Sequence, residues 1–250
     1  MPNLISEDQI EKAAVSLLTR RYGYRSINCY TPDLENLSDK SNRSCKNEVA
    51  FKDILKASAI RLNREIPESA IDQAIEALTA RRVAMSPILA NKEVYSLIRN
   101  GVPVQFENSQ GKAEKSIVRV IDFEKPDNND FCAVTQLWIK GERYPRRPDI
   151  LIYINGLPLV FIELKNSNVK LKNAYDDNLC NYKQDIPLLF NYNAFCVLSN
   201  GLETRVGSIT SGYEHFFRWL RPDDEAEKVD RNLIENDGTS LERVLHGIFP

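Results

Sequence analysis

The chain contains 250 residues, of which 42% are hydrophobic and 27% are charged, the usual balance of a globular protein with a buried core. The net charge of −2 says little about partners, because a DNA-binding protein can be near neutral when its basic residues gather on one face. No apolar run approaches the ~20 residues that span a bilayer, and the N-terminus lacks the layout of a secretion signal. We therefore expect a cytoplasmic protein without a membrane partner.

The cysteine and histidine content limits the metal chemistry that is available. The five cysteines are scattered and never spaced as C-x-x-C, which argues against both a disulfide framework and a zinc site. The two histidines, His215 and His246, are too few and too far apart for an imidazole-rich cluster. Any metal would have to be a hard cation held by carboxylates and water.

The first hundred residues have the pattern of a helical region. Ser6 and Gln9 form a capping-box signature, and the apolar residues that follow recur at helical spacing until Gly23. Residues 31–47 are polar and rich in Ser, Asn and Asp, which indicates a loop. We predict helices over residues 7–21, 48–63, 68–82 and 87–99.

The pattern becomes that of strands after Gly101. Runs of β-branched and aromatic residues predict strands over residues 102–106, 117–123, 131–139, 149–154, 157–164, 194–198 and 203–206. Helical spacing returns over residues 170–185 and 213–220. Residues 221–238 are charged and poor in apolar residues, as in a solvated linker, and the apolar segment 241–249 ends as if the chain were cut before a further domain.

This order of elements predicts an α/β fold of the α+β type, with a central mixed β-sheet flanked by helices. We divide the chain into a mainly helical N-terminal part (1–100) that packs on a core (101–220). A charged linker (221–250) would then lead to a domain that these residues do not include.

Two predicted strands joined by Asn155-Gly156 form the most informative segment, since Asn-Gly between apolar strands is a strong hairpin signal. The second strand is apolar over most of its length, so we expect it to be covered on both faces. It nevertheless carries Glu163 and Lys165 near its end. Charges on a buried strand are costly unless they are paired or bound to a metal, so something must offset that cost.

Period-two alternation places Glu163 and Lys165 on one face of the sheet. If Asp149, at the start of the first strand, joins them, two carboxylates and an ammonium group converge. A Mg²⁺ ion held by Asp149 and Glu163 would remove their repulsion, lower the pKa of bound water and neutralise charge on a phosphodiester. Lys165 would orient or activate the attacking water, or stabilise the developing charge. The three residues are therefore the predicted catalytic set.

The hairpin register provides a test of this prediction. A two-residue turn that pairs Ile154 with Leu157 would place Asp149 and Glu163 on opposite faces. The catalytic set therefore requires an odd-length turn or a β-bulge between the two strands. An Asp followed by Glu-x-Lys is also common by chance, and the alternative is a strand-end salt bridge on a solvated edge.

At these residues the chain resembles the PD-(D/E)xK nuclease superfamily, with Pro148-Asp149 and Glu163-Leu164-Lys165 in the motif positions. More specifically, over roughly residues 5–220, it is similar to the N-terminal part of the restriction subunit of type I restriction–modification enzymes. The similar segments are residues 123–131, 147–149, 155–159, 162–166, 189–193 and 199–201. The resemblance implies a restriction-endonuclease-like fold.

The resemblance also implies further site residues. The family has a glutamate on its first helix, which Glu11 matches best, although a solvated helix charge is the alternative. A family motif Gln-x-x-x-Tyr follows the catalytic lysine on a helix. Here Tyr182 matches the tyrosine, with core packing as its alternative role, and the shorter Asn178 replaces the glutamine. These two positions share a helical face.

Several basic residues are candidates for contacts with DNA phosphates. Arg146 and Arg147 are the strongest candidates because they directly precede Asp149, and Lys170 and Lys172 follow the catalytic lysine. For each of them, a solvated surface charge is the alternative.

Members of this family use Mg²⁺ to cut double-stranded DNA, carry an ATP-driven translocase after the nuclease domain, and act in complex with methylation and specificity subunits. The sequence contains no G-x-x-x-x-G-K-[S/T] motif, so ATP binding is expected only of a full-length subunit. A non-catalytic docking or DNA-clamping module that retains the nuclease fold is the alternative function, and a stand-alone nuclease of the same superfamily is a third.

Overall fold

A computed structural model of the chain describes residues 5–107, 110–141, 143–219 and 239–250. The strands in these residues are β1 (Arg25–Asn28), β2 (Val102–Glu107), β3 (Ala113–Val118), β4 (Phe131–Thr135), β5 (Ile139–Lys140), β6 (Pro145–Arg146), β7 (Ile150–Ile154), β8 (Leu157–Leu164), β9 (Phe195–Ser199) and β10 (Thr204–Gly207).

Six of these strands form one mixed sheet in the order β1-β4-β7-β8-β9-β10. The pairs β1–β4 and β8–β9 are parallel, whereas β4–β7, β7–β8 and β9–β10 are antiparallel. The remaining strands form two-stranded ribbons, β2 with β3 and β5 with β6. The hairpin β7–β8 therefore lies at the centre of the sheet, which buries it on both faces.

Helices cover both faces of the sheet. They are α1 (Glu7–Tyr22), α2 (Lys52–Leu62), α3 (Glu68–Thr79), α4 (Pro87–Asn100), α5 (Leu171–Asn173), α6 (Cys180–Asp185), α7 (Pro187–Phe190) and α8 (Ser240–Ile248). A π-helical segment, Ala174–Leu179, joins α5 to α6. Within the described residues, no helix combines the length and the apolar character needed to cross a bilayer.

Alternating side chains of the central hairpin enter two different hydrophobic cores. Ile162 belongs to a core that includes Leu18 of α1 and residues of α8. Phe161, its neighbour on β8, belongs to the other core, with Leu55 of α2 and residues of α3 and α4. This explains why β8 has consecutive apolar residues: each face of the strand is covered by helices.

The predicted fold class is confirmed, and most of the predicted elements occur within a few residues of the expected bounds. Helix α1 has the predicted capping box at Ser6 and ends at Gly23, whose φ of 71° is left-handed. The segment 31–47 contains no helix or strand. Residues 221–238, most of the predicted linker, lie outside the described residues, whereas α8 contributes Leu245 to the core that it shares with α1.

Two predictions of local structure were wrong, and one strand was missed. The strand expected over 117–123 lies earlier in the chain, at β3, where it pairs with β2. The prediction missed its start because the first residues of β3 are polar and exposed and show no apolar alternation. The helix expected over 213–220 is only a 3-10 turn, Tyr213–His215, after which Phe217 pairs with Val206 in an extended conformation. Strand β1 was not predicted, since its mostly exposed residues lie at the edge of the sheet.

Candidate active site

The hairpin β7–β8 contains both a two-residue turn and a β-bulge. Asn155 and Gly156 have φ values of 50° and 82°, as a type I′ turn requires, and Ile154 pairs with Leu157. The register then shifts, because Tyr153 pairs with Pro158 but Ile152 pairs with Val160. One extra residue of β8 is therefore accommodated beside the turn, so of the two predicted arrangements, an odd-length turn or a bulge, the structure has the bulge.

The bulge determines which side chains meet at the far end of the hairpin. Beyond it Ile150 pairs with Ile162, so Asp149 comes opposite Glu163. The backbone N–H of Leu164 donates a 2.8 Å hydrogen bond to Oδ2 of Asp149, which fixes this carboxylate against β8. Without the bulge, the two carboxylates would lie on opposite faces of the sheet.

Glu163 is the most deeply buried acid of the site, with 2% of its surface exposed. Its Oε1 accepts hydrogen bonds from the ammonium group of Lys165, at 3.3 Å, and from the side-chain amide of Asn178. Its Oε2 is buried and has no hydrogen-bond partner among the described residues. Burial, followed by repulsion from Asp149, raises the pKa of Glu163 well above its usual value.

Asp149 is half-buried at the end of the same sheet. Burial raises its pKa to about 6, although the Leu164 hydrogen bond and the positive charge of Lys165 oppose this shift. The charge of Glu7 on α1 adds a smaller upward contribution. The pKa values of Asp149 and Glu163 are both raised, because the nearby positive charge does not offset burial and the repulsion between the two carboxylates.

Lys165 provides one positive charge at this position. Its Nζ lies 3.3 Å from Oε1 of Glu163 and 3.0 Å from the carbonyl oxygen of Leu164, and 16% of its side chain is exposed. The ammonium group is thus held at the boundary between the buried acids and solvent. In this position it can reach a water molecule or a phosphate oxygen that enters from outside.

The segment after Lys165 places Asn178 and Tyr182 next to the site. Asn178 lies in the π-helical segment, a local widening of the helix that is frequent at functional sites, and its amide reaches Glu163 despite its short side chain. The buried ring of Tyr182 packs edge-on against Phe161, and its hydroxyl donates a long 3.4 Å bond to the carbonyl oxygen of Arg147. Burial, followed by the charge of Glu163, raises the pKa of Tyr182.

Helix α1 brings Glu11 to the same end of the sheet. Glu11 is half-buried and accepts a 2.5 Å hydrogen bond from the side-chain amide of Gln136. Burial raises the pKa of Glu11, the Gln136 bond lowers it, and the charge of Asp149 raises it further. Glu11 therefore faces the site, rather than bulk solvent alone.

The four predicted DNA-contacting residues differ in their local partners. Arg146 is bonded to Asp185 at 2.7 Å and lies over the ring of Tyr182, so its charge is matched locally. The exposed Lys172 is bonded to Asp176 at 2.5 Å. Lys170 is exposed at the start of α5.

Arg147 has the most specific environment of the four residues. Its guanidinium lies 5.2 Å from the ring centre of Tyr30 and 5.0 Å from that of Trp138, and its charge lowers the pKa values of Asp149 and Glu11. Aromatic rings on which a guanidinium stacks fix its direction without neutralising its charge. The site and DNA-contact roles of all these residues remain predictions.

Two residues near the site were not identified from the sequence. Gln136 follows β4 and contacts Glu11; together with Thr135 it interrupts an otherwise apolar run, which is a detectable signal. Glu7 lies one turn before Glu11, is bonded to Asn166 by 3.2 Å and 3.3 Å hydrogen bonds, and influences both Asp149 and Glu163. In the sequence, the position of Glu7 in the first turn of α1 indicated only the start of a helix.

The donor set fits a hard cation. Within the described residues, no three His, Cys, Asp or Glu side chains form a complete ligand set, so a cation here would draw on few protein ligands and would retain water. The free Oε2 of Glu163 and the carboxylate of Asp149 are oxygen donors of the kind that Mg²⁺ prefers. A buried carboxylate oxygen without a partner is rare in proteins, and a bound cation is one explanation for it.

The architecture is that of a restriction-endonuclease-like fold: a six-stranded mixed sheet, flanked by helices, with acidic and basic side chains gathered at the end of a central hairpin. A family model described as "Type I restriction enzyme R protein N terminus" matches residues 4–215. The chain belongs to this family.

Curated relatives agree with this assignment. The chain is 33% identical over 252 aligned positions to the type I restriction enzyme HindI endonuclease subunit of Haemophilus influenzae, an alignment that covers 98% of the chain and 23% of the relative. It is 34% identical over 180 positions to a Methanocaldococcus jannaschii protein named as the MjaIXP endonuclease subunit of a type I restriction enzyme, with 64% of the chain and 17% of the relative covered. The chain thus spans about a quarter or less of the length of these relatives.

Proposed function

We propose that these residues form the Mg²⁺-dependent endonuclease domain of a type I restriction complex, which hydrolyses phosphodiester bonds of double-stranded DNA. The observation that carries this proposal is the buried Oε2 of Glu163, which has no hydrogen-bond partner among the described residues and belongs to an acid opposite Asp149. Family membership supports the restriction nuclease role.

Each residue of the site has a separate role in the proposed reaction. Asp149 and Glu163 would hold Mg²⁺, which when bound would polarise the scissile phosphodiester and increase the acidity of an attacking water. Asn178 and Lys165 both bind Oε1 of Glu163, so they orient this carboxylate and leave Oε2 available. The ammonium group of Lys165 would orient the water or stabilise the charge that develops on the phosphate.

The basic residues around the site would bind the DNA backbone. Arg147, stacked on two aromatic rings beside the acids, is suited to a phosphate next to the cleaved bond. Lys170 would contact a phosphate further away, while Arg146 and Lys172 would first have to exchange their present carboxylate partners. Contacts of this kind position DNA without reading its sequence.

The activity of the complete subunit belongs to the same proposal. Because the relatives are at least four times longer than the aligned segment, we place the ATP-driven translocase in residues beyond this segment. The 250 residues contain no P-loop motif. Methylation and specificity subunits would supply assembly and target recognition.

Cleavage of a supercoiled plasmid by the reconstituted complex tests the proposal. We expect Asp149→Asn and Lys165→Ala to reduce cleavage by about a thousandfold or more, since they remove a predicted metal ligand and the predicted catalytic ammonium group. Both variants should still assemble into the complex, and their thermal unfolding midpoints should not fall. Lys56→Ala, on α2, removes a half-buried lysine that is paired with Glu68 and Asp72 and serves as the matched control. Normal cleavage by either site variant would refute the nuclease assignment and favour a non-catalytic docking module.

A further inference from the structure

Gln136 connects two acids that come from distant parts of the chain. It immediately follows β4, and its backbone N–H donates a 3.1 Å hydrogen bond to the carbonyl oxygen of Asp149. Its side-chain amide donates a 2.5 Å hydrogen bond to Oε2 of Glu11 on α1. Gln136 is thus bonded to the backbone of Asp149, at the start of β7, and to the carboxylate of Glu11.

The backbone of Gln136 is unusual for its residue type. Its φ of 56° lies in the left-handed region, which a non-glycine residue with a long side chain seldom adopts. Such a conformation persists only where the surrounding contacts determine it, and it is often found at functional sites. Here the buried residues Thr135 and Leu137, which precede and follow Gln136, anchor the chain on either side.

The hydrogen bond from Gln136 offsets an environment that disfavours the ionised carboxylate of Glu11. Glu11 is half-buried, and it faces the negative charges of Asp149 and Asp8 as well as the positive charge of Arg147. The amide of Gln136 donates to Glu11 directly, which favours the ionised carboxylate and fixes its direction. Without this donor, burial and the two neighbouring acids would favour a protonated or displaced side chain.

We propose that Gln136 is a positioning residue for DNA cleavage, which holds the carboxylate of Glu11 at a fixed place beside Asp149. This inference rests on the proposed nuclease function and adds a residue to it. Gln136 acts through the two acids and does not itself contact the reacting atoms. Its left-handed backbone aims the N–H at one acid-bearing strand while the side chain reaches the other acid.

A glycine substitution separates the backbone contribution of Gln136 from that of its side chain. Glycine adopts the left-handed conformation readily, so Gln136→Gly retains the N–H donor to Asp149 and removes only the amide that binds Glu11. In the reconstituted complex with the full-length subunit, we expect single-turnover cleavage to fall by about 10–100-fold, the usual effect of losing a residue that supports a catalytic group. The thermal unfolding midpoint should not fall, and the DNA concentration for half-maximal cleavage should not rise.

A double-mutant cycle with Glu11 provides the specific readout. Because Gln136 would act through Glu11, Glu11→Gln should lose cleavage to a similar extent, and the double variant should be no slower than Glu11→Gln alone. Normal cleavage by Gln136→Gly, multiplicative losses in the double variant, or a lower unfolding midpoint would each overturn the inference.

Asp149→Asn, measured in parallel, separates the two proposals: if it cuts normally, the nuclease assignment and this inference both fail. If it is inactive while Gln136→Gly is normal, only the positioning role fails.

Discussion

Two buried clusters of charged side chains in this protein have opposite balances of charge. In the first, which we call the loop cluster, the carboxylate of Asp39 is bonded to Arg43 at 2.9 Å and to Lys46 at 2.7 Å, and all three side chains are almost completely buried. In the second, the candidate active site, Asp149 and Glu163 share the single ammonium group of Lys165. One cluster has an excess of positive charge, and the other has an excess of negative charge.

The hydrogen bonds of the two clusters differ in the same way. Burial alone would raise the pKa of Asp39, but bonds from Lys46, Ser41 and Arg43 together outweigh it and lower the pKa to about 2. In the site, burial prevails and one oxygen of Glu163 has no hydrogen-bond partner among the described residues. A satisfied cluster stabilises the loop 31–47, whereas an acidic cluster with a free oxygen is suited to bind a cation.

The largest effect expected from this comparison is on stability. Asp39→Ala leaves Arg43 and Lys46 buried without their carboxylate, which should reduce the free energy of unfolding by about 3–5 kcal/mol. Denaturant unfolding measures this loss. Asp8→Ala, which removes an acid from an exposed pair with Lys12, is the control and should change the free energy by at most about 1 kcal/mol. A loss as small as that of the control would show that the loop cluster contributes little.

The pH dependence of stability should have opposite signs in the two clusters. The lowered pKa of Asp39 contributes stability that is complete above its ordinary value of 3.8 and is lost as the pH falls toward 2. The raised pKa of Asp149 acts in reverse: its ionisation costs stability as the pH rises from 3.8 to about 6.

Asp149→Asn isolates the second of these two effects. The variant should gain stability relative to the unsubstituted protein as the pH rises from about 4 to 6, by up to about 3 kcal/mol in metal-free buffer. Its side-chain oxygen can still accept the Leu164 hydrogen bond, so the comparison is well matched. Urea unfolding at several pH values measures the difference. A difference that does not change with pH would contradict the raised pKa.

The smallest effect concerns the orientation of Glu163 by Asn178. Asn178→Ala should weaken Mn²⁺ binding about 10–100-fold, because the amide no longer holds Oε1. Asn181→Ala, which removes a half-buried asparagine of the next turn whose amide donates to the backbone carbonyl oxygen of Asp177, is the matched control. Calorimetric titration with Mn²⁺ distinguishes the two variants. Equal affinity in both would remove Asn178 from the positioning of the site.

Much of the central hairpin follows from local sequence rules. The Asn155-Gly156 signal predicts the turn, and alternation places Glu163 and Lys165 on one face. The need to bring Asp149 to that face then predicts an odd-length turn or a bulge, and the structure contains the bulge. These inferences succeed because register depends on residues that are neighbours along the two strands.

Other parts of the site depend on contacts that local patterns do not encode. Asn178 reaches Glu163 from a π-helical segment, which helical spacing does not predict. Gln136 and Glu11 are 125 positions apart in the chain and meet only when α1 packs against the sheet. Similarly, the pairing of β1 with β4 joins residues about a hundred positions apart, and β1 carries almost no apolar signal.

The central claim, that Asp149 and Glu163 hold a divalent cation, is tested most directly by anomalous diffraction from crystals soaked in Mn²⁺. We predict anomalous density in contact with Asp149 and with Oε2 of Glu163, and no density there in Glu163→Gln crystals treated in the same way. An empty site at Mn²⁺ concentrations that support cleavage by the complex would contradict the claim. Equal density in the Glu163→Gln crystals would contradict it as well.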